Sequence, residues 1–221
     1  MNRSNRFCAT RRGLLAMLAL GALGVDRVAA QNLVEGQNYL RLKNPQPIDS
    51  GKKIEVLYFF AFGCPHCREF DPELQKWKQA IAPDVDFKRV PVDFGREQWA
   101  NLGKVWFTLE AIGADDKVTS EVFAAIHDQR TLLHQDKAFF DWAASKGLDR
   151  KKVEDTYNSF GVNSKMNRAR QLTKNYNVQS VPVVFVDGKF QVSADKVGGH
   201  TNMPEALNQL IAKARAERPK S

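Results

Sequence analysis

Apolar residues recur along this chain in two rhythms, and the changes between them mark out its elements. Ile54 to Phe60 (IEVLYFF) is a dense aromatic and β-branched run, the pattern of a buried strand. From Pro65 to about Ala80 the period changes. Phe70, Leu74 and Trp77 line one face of a helix, with a kink expected at Pro72. Pro83-Asp84 breaks it. Val85–Val92 then alternates, Val85, Phe87 and Arg89 on one side and Lys88, Val90 and Val92 partly on the other. Strand, helix and strand at this spacing form a βαβ unit with parallel pairing and a right-handed crossover. Ahead of it, Asn38–Leu42 predicts a short first strand, which makes Ile54–Phe60 the second and central one.

Between Gly95 and Tyr176 the strand rhythm disappears. Trp99, Leu102, Trp106 and Leu109 form one helical face, Val118, Val122 and Ile126 a second, and Phe139, Trp142 and Ala143 a third. Asp149 to Tyr157 is a short fourth helix with Asp149 as N-cap, and Val162, Met166, Ala169, Leu172 and Tyr176 define a long fifth. These aromatics read as core rather than as a cofactor box, and no glycine-rich phosphate loop is present. Strands resume at Val183–Val186. Asp187-Gly188 predicts a two-residue type I′ turn into a return strand, Lys189–Val192. Asn202-Met203-Pro204-Glu205 has the outline of a capping box ahead of a last helix with Met203, Leu207, Leu210 and Ala214 inward. The tail from Glu217 is expected to fray. The chain is therefore α/β: a first part over residues 31–95, a helical insertion over 96–160 and a closing part over 161–221.

At 221 residues and 43% hydrophobic, the chain can bury one good-sized core. Its first thirty residues stand apart. Arg3, Arg6, Arg11 and Arg12 precede an apolar run from Leu14 to Val25, and Val28-Ala29-Ala30 has the small residues of a cleavage site. Residues 1–30 therefore read as an export signal cut after Ala30. The apolar run is too short to span a bilayer, and Asp26 and Arg27 end it. Thr10 to Leu15 also carries a twin-arginine outline. Cleavage takes five arginines and one aspartate from the 33 basic and 25 acidic residues, so that 28 stand against 24 and the net charge of +8 becomes +4. That mild excess gives no argument for a nucleic-acid partner, and Lys165, Arg168, Arg170 and Lys174 read as a solvated helix face.

Cleavage also removes Cys8, leaving Cys64 and Cys67. A ring closed three residues apart is too small to staple loops, so the pair is there for exchange chemistry. Cys64-Pro65-His66-Cys67 stands where the strand gives way to the helix. Pro65 suits the first helical turn, and Cys64 falls at the N-terminus, where unpaired amides and the helix dipole favour negative charge. Its sulfur is biased toward thiolate, the form that attacks disulfides and leaves from them. Cys67 lies one turn below. A structural zinc needs four ligands and no second pair exists; His127, His134 and His200 are scattered and read as surface or capping residues. Arg68 after Cys67 rules out the haem motif C-x-x-C-H. No metal and no cofactor beyond the Cys64–Cys67 disulfide is expected. His66, on an exposed turn, is either a cation that lowers the Cys64 pKa or a bystander.

The βαβ unit with a helix-opening C-x-x-C, Val181-Pro182 ahead of a β-hairpin, and the terminal helix together resemble the thioredoxin fold. The Cys-Pro-His-Cys sequence, the helical stretch inserted after the third strand and the valine before the proline resemble the DsbA family of thiol:disulfide oxidoreductases, over essentially the whole chain after the signal. The resemblance implies a thioredoxin fold with an inserted all-helical domain. It implies a periplasmic monomer that donates its disulfide to newly exported reduced polypeptides, and a membrane quinone-linked, DsbB-like partner that reoxidises it. By the same resemblance Cys64 is the exposed nucleophile, Cys67 the buried resolving thiol, and Pro65 and His66 complete the redox motif. Pro182 would be cis and packed against the pair, and the Val181 backbone would pair with an extended client strand.

One departure stands out. Tyr58 occupies a place where members of the family often carry a buried acid; Glu55 faces the other side, and Asp71 is the nearest substitute for proton handling at Cys67. The rival readings are an isomerase or reductase of the same fold and a metal-binding or holdase chaperone. Secreted isomerases carry an N-terminal dimerisation domain, for which the stretch from Gln31 to Ile54 is too short, and the reductase dipeptide Gly-Pro is not the Pro-His found here.

Overall fold

Five strands make one mixed sheet in the computed structural model, which describes residues 32–219; the export signal expected over residues 1–30 lies outside them. The strands are β1 (Leu40–Arg41), β2 (Ile54–Phe60), β3 (Val85–Pro91), β4 (Val183–Val186) and β5 (Phe190–Val192), in the spatial order β1-β5-β4-β2-β3. The β2–β3 pair is parallel, with Ile54 opposite Val85 and Phe60 opposite Pro91, and the remaining pairs are antiparallel. All seven residues of β2 are buried. It is an interior strand, but the middle position belongs to β4.

The crossover from β2 to β3 is α1 (Pro65–Ala80), which continues through Pro72 as one helix. Then come α2 (Glu97–Ala111), α3 (Asp115–His127), α4 (Asp136–Ser145), α5 (Arg150–Tyr157) and α6 (Phe160–Asn175), and after the hairpin α7 (Met203–Glu217). The alternation of β2 divides the core. Tyr58 meets Phe70 of α1 at 5.5 Å between centroids, and Phe60 meets Trp106 of α2 at 5.5 Å. Phe59 points the other way, to Tyr176 at the end of α6. The site is thus built on a fully buried strand whose two faces are packed by different helices, an arrangement that holds the following turn in place.

Local chemistry sets most boundaries. Asp149 caps α5 by accepting from the Lys152 amide at 2.8 Å, and Ser159 caps α6 by accepting from the Val162 amide at 3.2 Å. Asp187 and Gly188 both have positive φ, 55° and 65°, as a type I′ turn requires.

Several expectations need correction. The first strand is two residues long, not five; β3 stops at Pro91, and the return strand starts at Phe190. The capping box is not formed: the Asn202 side chain donates to the Val197 carbonyl, and Glu205 instead accepts from Gln209. The tail does not fray at Arg218, whose guanidinium pairs with Asp187 and donates to the carbonyls of Lys52 and Lys53. The basic face of α6 is exposed, as expected of a solvated face, and three of its cations also pair with acids, Lys165 with Glu110, Arg168 with Asp49 and Arg170 with Asp93.

Candidate active site

β2 ends at Phe60, and a tight turn follows in which the Cys64 amide donates to the Ala61 carbonyl at 3.0 Å. Cys64 is the N-cap of α1 and keeps extended backbone geometry; Pro65 follows as the first helical residue. Gly63 is required here, because a Cβ would stand 2.8 Å from the Trp99 indole nitrogen. The two thiols are free. Cys64 is 7% exposed and Cys67 fully buried, so Cys64 is far less open than the exposed nucleophile that the resemblance implied.

The two sulfurs differ in acidity for reasons the geometry supplies. Cys64 is pulled down from 9.0 to about 6, chiefly by the hydrogen bond from the Cys67 thiol, against the opposing effect of burial. The backbone amides of Cys67 and His66 contribute next, and the His66 imidazole least of the causes named. Cys67 is pushed well up, first by burial and then by the neighbouring Cys64. Val181-Pro182 is cis, and the Cys64 Sγ donates to the Val181 carbonyl at 3.4 Å. The chain thus brings together Cys64, Cys67, Val181 and Pro182 from positions more than a hundred residues apart.

Beneath Cys67 lies a buried polar group. The Tyr58 hydroxyl is enclosed, makes no hydrogen bond of good geometry, and is coupled electrostatically to Cys67. Arg89, on the neighbouring β3, is ringed by Tyr58, Phe60 and Trp106 at 5.5–5.8 Å from their ring centroids. It pairs with Asp71 at 3.0 Å, and the other Asp71 oxygen accepts from Ser120 at 2.6 Å. Asp71, which also accepts from Gln75 at 3.4 Å, is therefore committed to these partners, and it is Tyr58 that adjoins the buried thiol. On the opposite face Glu55 accepts from Lys88 at 2.9 Å, from Ser50 and from the Asp49 amide.

On the surface, the His66 ring is 70% exposed and bonds Glu69 at 2.9 Å, which raises its pKa. Among the described residues, no group of three or more His, Cys, Asp or Glu is arranged to hold a metal ion.

A family model described as DSBA-like thioredoxin domain matches residues 55–210. The chain belongs to that family. It is 36% identical over 203 residues to a thiol:disulfide interchange protein DsbA of Pseudomonas aeruginosa, covering 92% of this chain and 96% of the relative. It is also 36% identical over 197 residues to a DsbA of Burkholderia cepacia, covering 88% and 92%. The crystal structure of Pseudomonas aeruginosa DsbA superposes with a TM-score of 0.80 at 36% identity, over 85% of this chain and 97% of that one. Reduced DsbA1 from Neisseria meningitidis superposes with 0.75 at 29% identity, over 84% and 96%.

As a DSBA-like thioredoxin-domain protein, the chain places several residues at the site that its sequence did not reveal. Arg89 looked like an ordinary member of an alternating strand. His127 is no surface bystander: its Nε2 donates to the Phe62 carbonyl at 2.7 Å, bracing the turn before the motif. His200 stacks on Phe70 with centroids 5.7 Å apart and lies 3.9 Å from Glu69. A histidine three residues before a helix rich in buried apolar positions carries no signal of such a contact.

Proposed function

We propose that this protein is a thiol:disulfide oxidoreductase that passes the Cys64–Cys67 disulfide to reduced, exported polypeptides. The observation that carries the reading is the asymmetry of the pair: an acidic Cys64 that keeps a small exposed edge over a fully buried Cys67 that resists ionising. A client thiolate attacks the Cys64 sulfur, the bond between Cys64 and Cys67 breaks, and the electron pair stays on Cys67, which takes up a proton in keeping with its raised pKa. A second client thiolate then attacks the client sulfur of the mixed disulfide. Cys64 leaves as the stable thiolate, with the client oxidised and the enzyme reduced. The Val181 carbonyl, beside Cys64, is placed to accept from the amide of an extended client.

Reduced enzyme must then lose two electrons, and a membrane quinone-linked oxidoreductase is the partner proposed for that step. The basic start, apolar run and small-residue site of residues 1–30 support a periplasmic address. The test is Cys67→Ala, which removes the resolving thiol. It is expected to accumulate mixed disulfides through Cys64 that resolve on non-reducing gels; their absence in an exporting host would count against the assignment.

A further inference from the structure

Ten arginines lie among the described residues, and eight have a carboxylate partner: Arg41, Arg68, Arg89, Arg150, Arg168, Arg170, Arg215 and Arg218. Arg96 and Arg130 have none there, and both stand at one spot beside the reacting sulfur. Arg130 lines a pocket of about 270 Å³ together with Gly63, Trp99, Leu102, Ile126 and Leu132. Arg96 lies over the Trp99 ring, 4.8 Å from its centroid. Of the acids close in sequence, Asp93 pairs with Arg170 and Asp128 with Arg68, while Glu97 points to solvent with no ion pair to either arginine.

The same spot collects exposed apolar surface. Leu132 is 51% exposed, and Phe94, 38% exposed, sits 6.1 Å from Trp99. Phe94 and Arg130 are two of the four non-glycine residues with positive φ among the described residues, 46° and 55°, backbone that a side chain adopts only at a cost. Gly63, one wall of the pocket, immediately precedes Cys64 in the chain. The pocket therefore opens beside the residue that carries the reacting sulfur.

We propose that the pocket and its two unpaired guanidiniums form a docking subsite for an acidic–apolar segment of the client polypeptide close to its reacting cysteine. An apolar side chain enters between Trp99 and Leu132, and a neighbouring Asp or Glu meets Arg130 and Arg96. The pocket has room for a single large side chain and not for a helix, which suits an extended, unfolded chain. Its continuity with Cys64 through Gly63 favours the client over a second copy of this protein. The inference rests on the disulfide-exchange reading and adds a preference to it.

The test uses two-cysteine peptides identical except for Glu, Gln or Lys next to a leucine near one cysteine, each oxidised by the disulfide form of the protein. The Glu peptide is expected to react roughly ten-fold faster than the Lys peptide at low ionic strength, with the difference shrinking in salt. In the Arg96→Glu/Arg130→Glu variant the order is expected to invert, and Lys151→Glu on α5 is expected to leave the ratio as it was. Equal rates for the three peptides, or an unchanged order in the charge-reversed variant, would overturn the subsite. Serine-substituted peptides, which cannot exchange, separate the two readings when their binding is followed by the Trp99 indole resonance. Tighter binding of the Glu form without any oxidation of the cysteine peptides keeps the subsite and sinks the exchange reading.

Discussion

Arg89 and Asp71 hold each other beneath the cysteine pair, Nη2 to Oδ1 at 3.0 Å, with 3% of either side chain exposed. Charges so enclosed cost a great deal to strip of water, and each survives only because the other is present. Arg89→Met would leave the Asp71 carboxylate without its cation, with only the neutral donors Ser120 and Gln75, and is expected to cost about 3–5 kcal/mol in urea unfolding. Arg89→Met/Asp71→Leu should recover a large part of that loss. Equal destabilisation by the single and double variants would mean that the pair is not what the region depends on.

The Tyr58 hydroxyl tests a different link. It has no hydrogen-bond partner of good geometry, so Tyr58→Phe is expected to change the unfolding free energy by less than about 1 kcal/mol. The same change removes a hydroxyl whose influence lowers the Cys67 pKa and so should raise that pKa further. Alkylation rate against pH, compared with and without Tyr58→Phe in a Cys64→Ala background, reads this directly. Superposable profiles would take Tyr58 out of the chemistry.

The acidity of Cys64 has a consequence for stability. Its folded value of about 6 lies below the ordinary 9.0, the case of a depressed acid. The resulting stabilisation of the dithiol form is complete above pH 9, declines as pH falls, and is gone below about 6. The disulfide form has no such group. Denaturant melts of both forms between pH 5 and 9 should show the balance tilting toward the dithiol as pH rises. A pH-independent difference would contradict the thiolate.

His66 and Glu69 predict a weaker effect. Glu69→Gln removes the carboxylate that raises the His66 pKa, and an NMR titration should then find the imidazole back near 6.5. His66→Leu should raise the Cys64 pKa only a little, since backbone amides and the Cys67 thiol act on that sulfur more strongly than the imidazole does. A large rise on 240 nm titration would promote His66 to the main cause.

Much of this was legible along the chain. The apolar run of β2, the 4 and 3 spacing of α1, the Asp187-Gly188 turn and the cysteine pair at a strand-to-helix junction are all local patterns. Local patterns survive in one dimension. What could not be read depends on partners far apart. Arg89 and Asp71 are both polar residues on elements that are not uniformly buried, and nothing short of the fold says that they meet. Asn202 and Glu205 have the right identities for a cap, yet Val197 and Gln209 compete for their side chains. His200 reaches the site because the chain after β5 folds back onto α1.

The hold of Arg218 on Asp187 and on the carbonyls of Lys52 and Lys53 gives the last turn of the described chain an influence out of proportion to its position. Those carbonyls open the very strand that delivers Cys64. Trimming the chain from its far end would thus be felt at the doorway to the redox motif before the body of α7 noticed, and a fusion joined there would pull on the enzyme's working strand from behind.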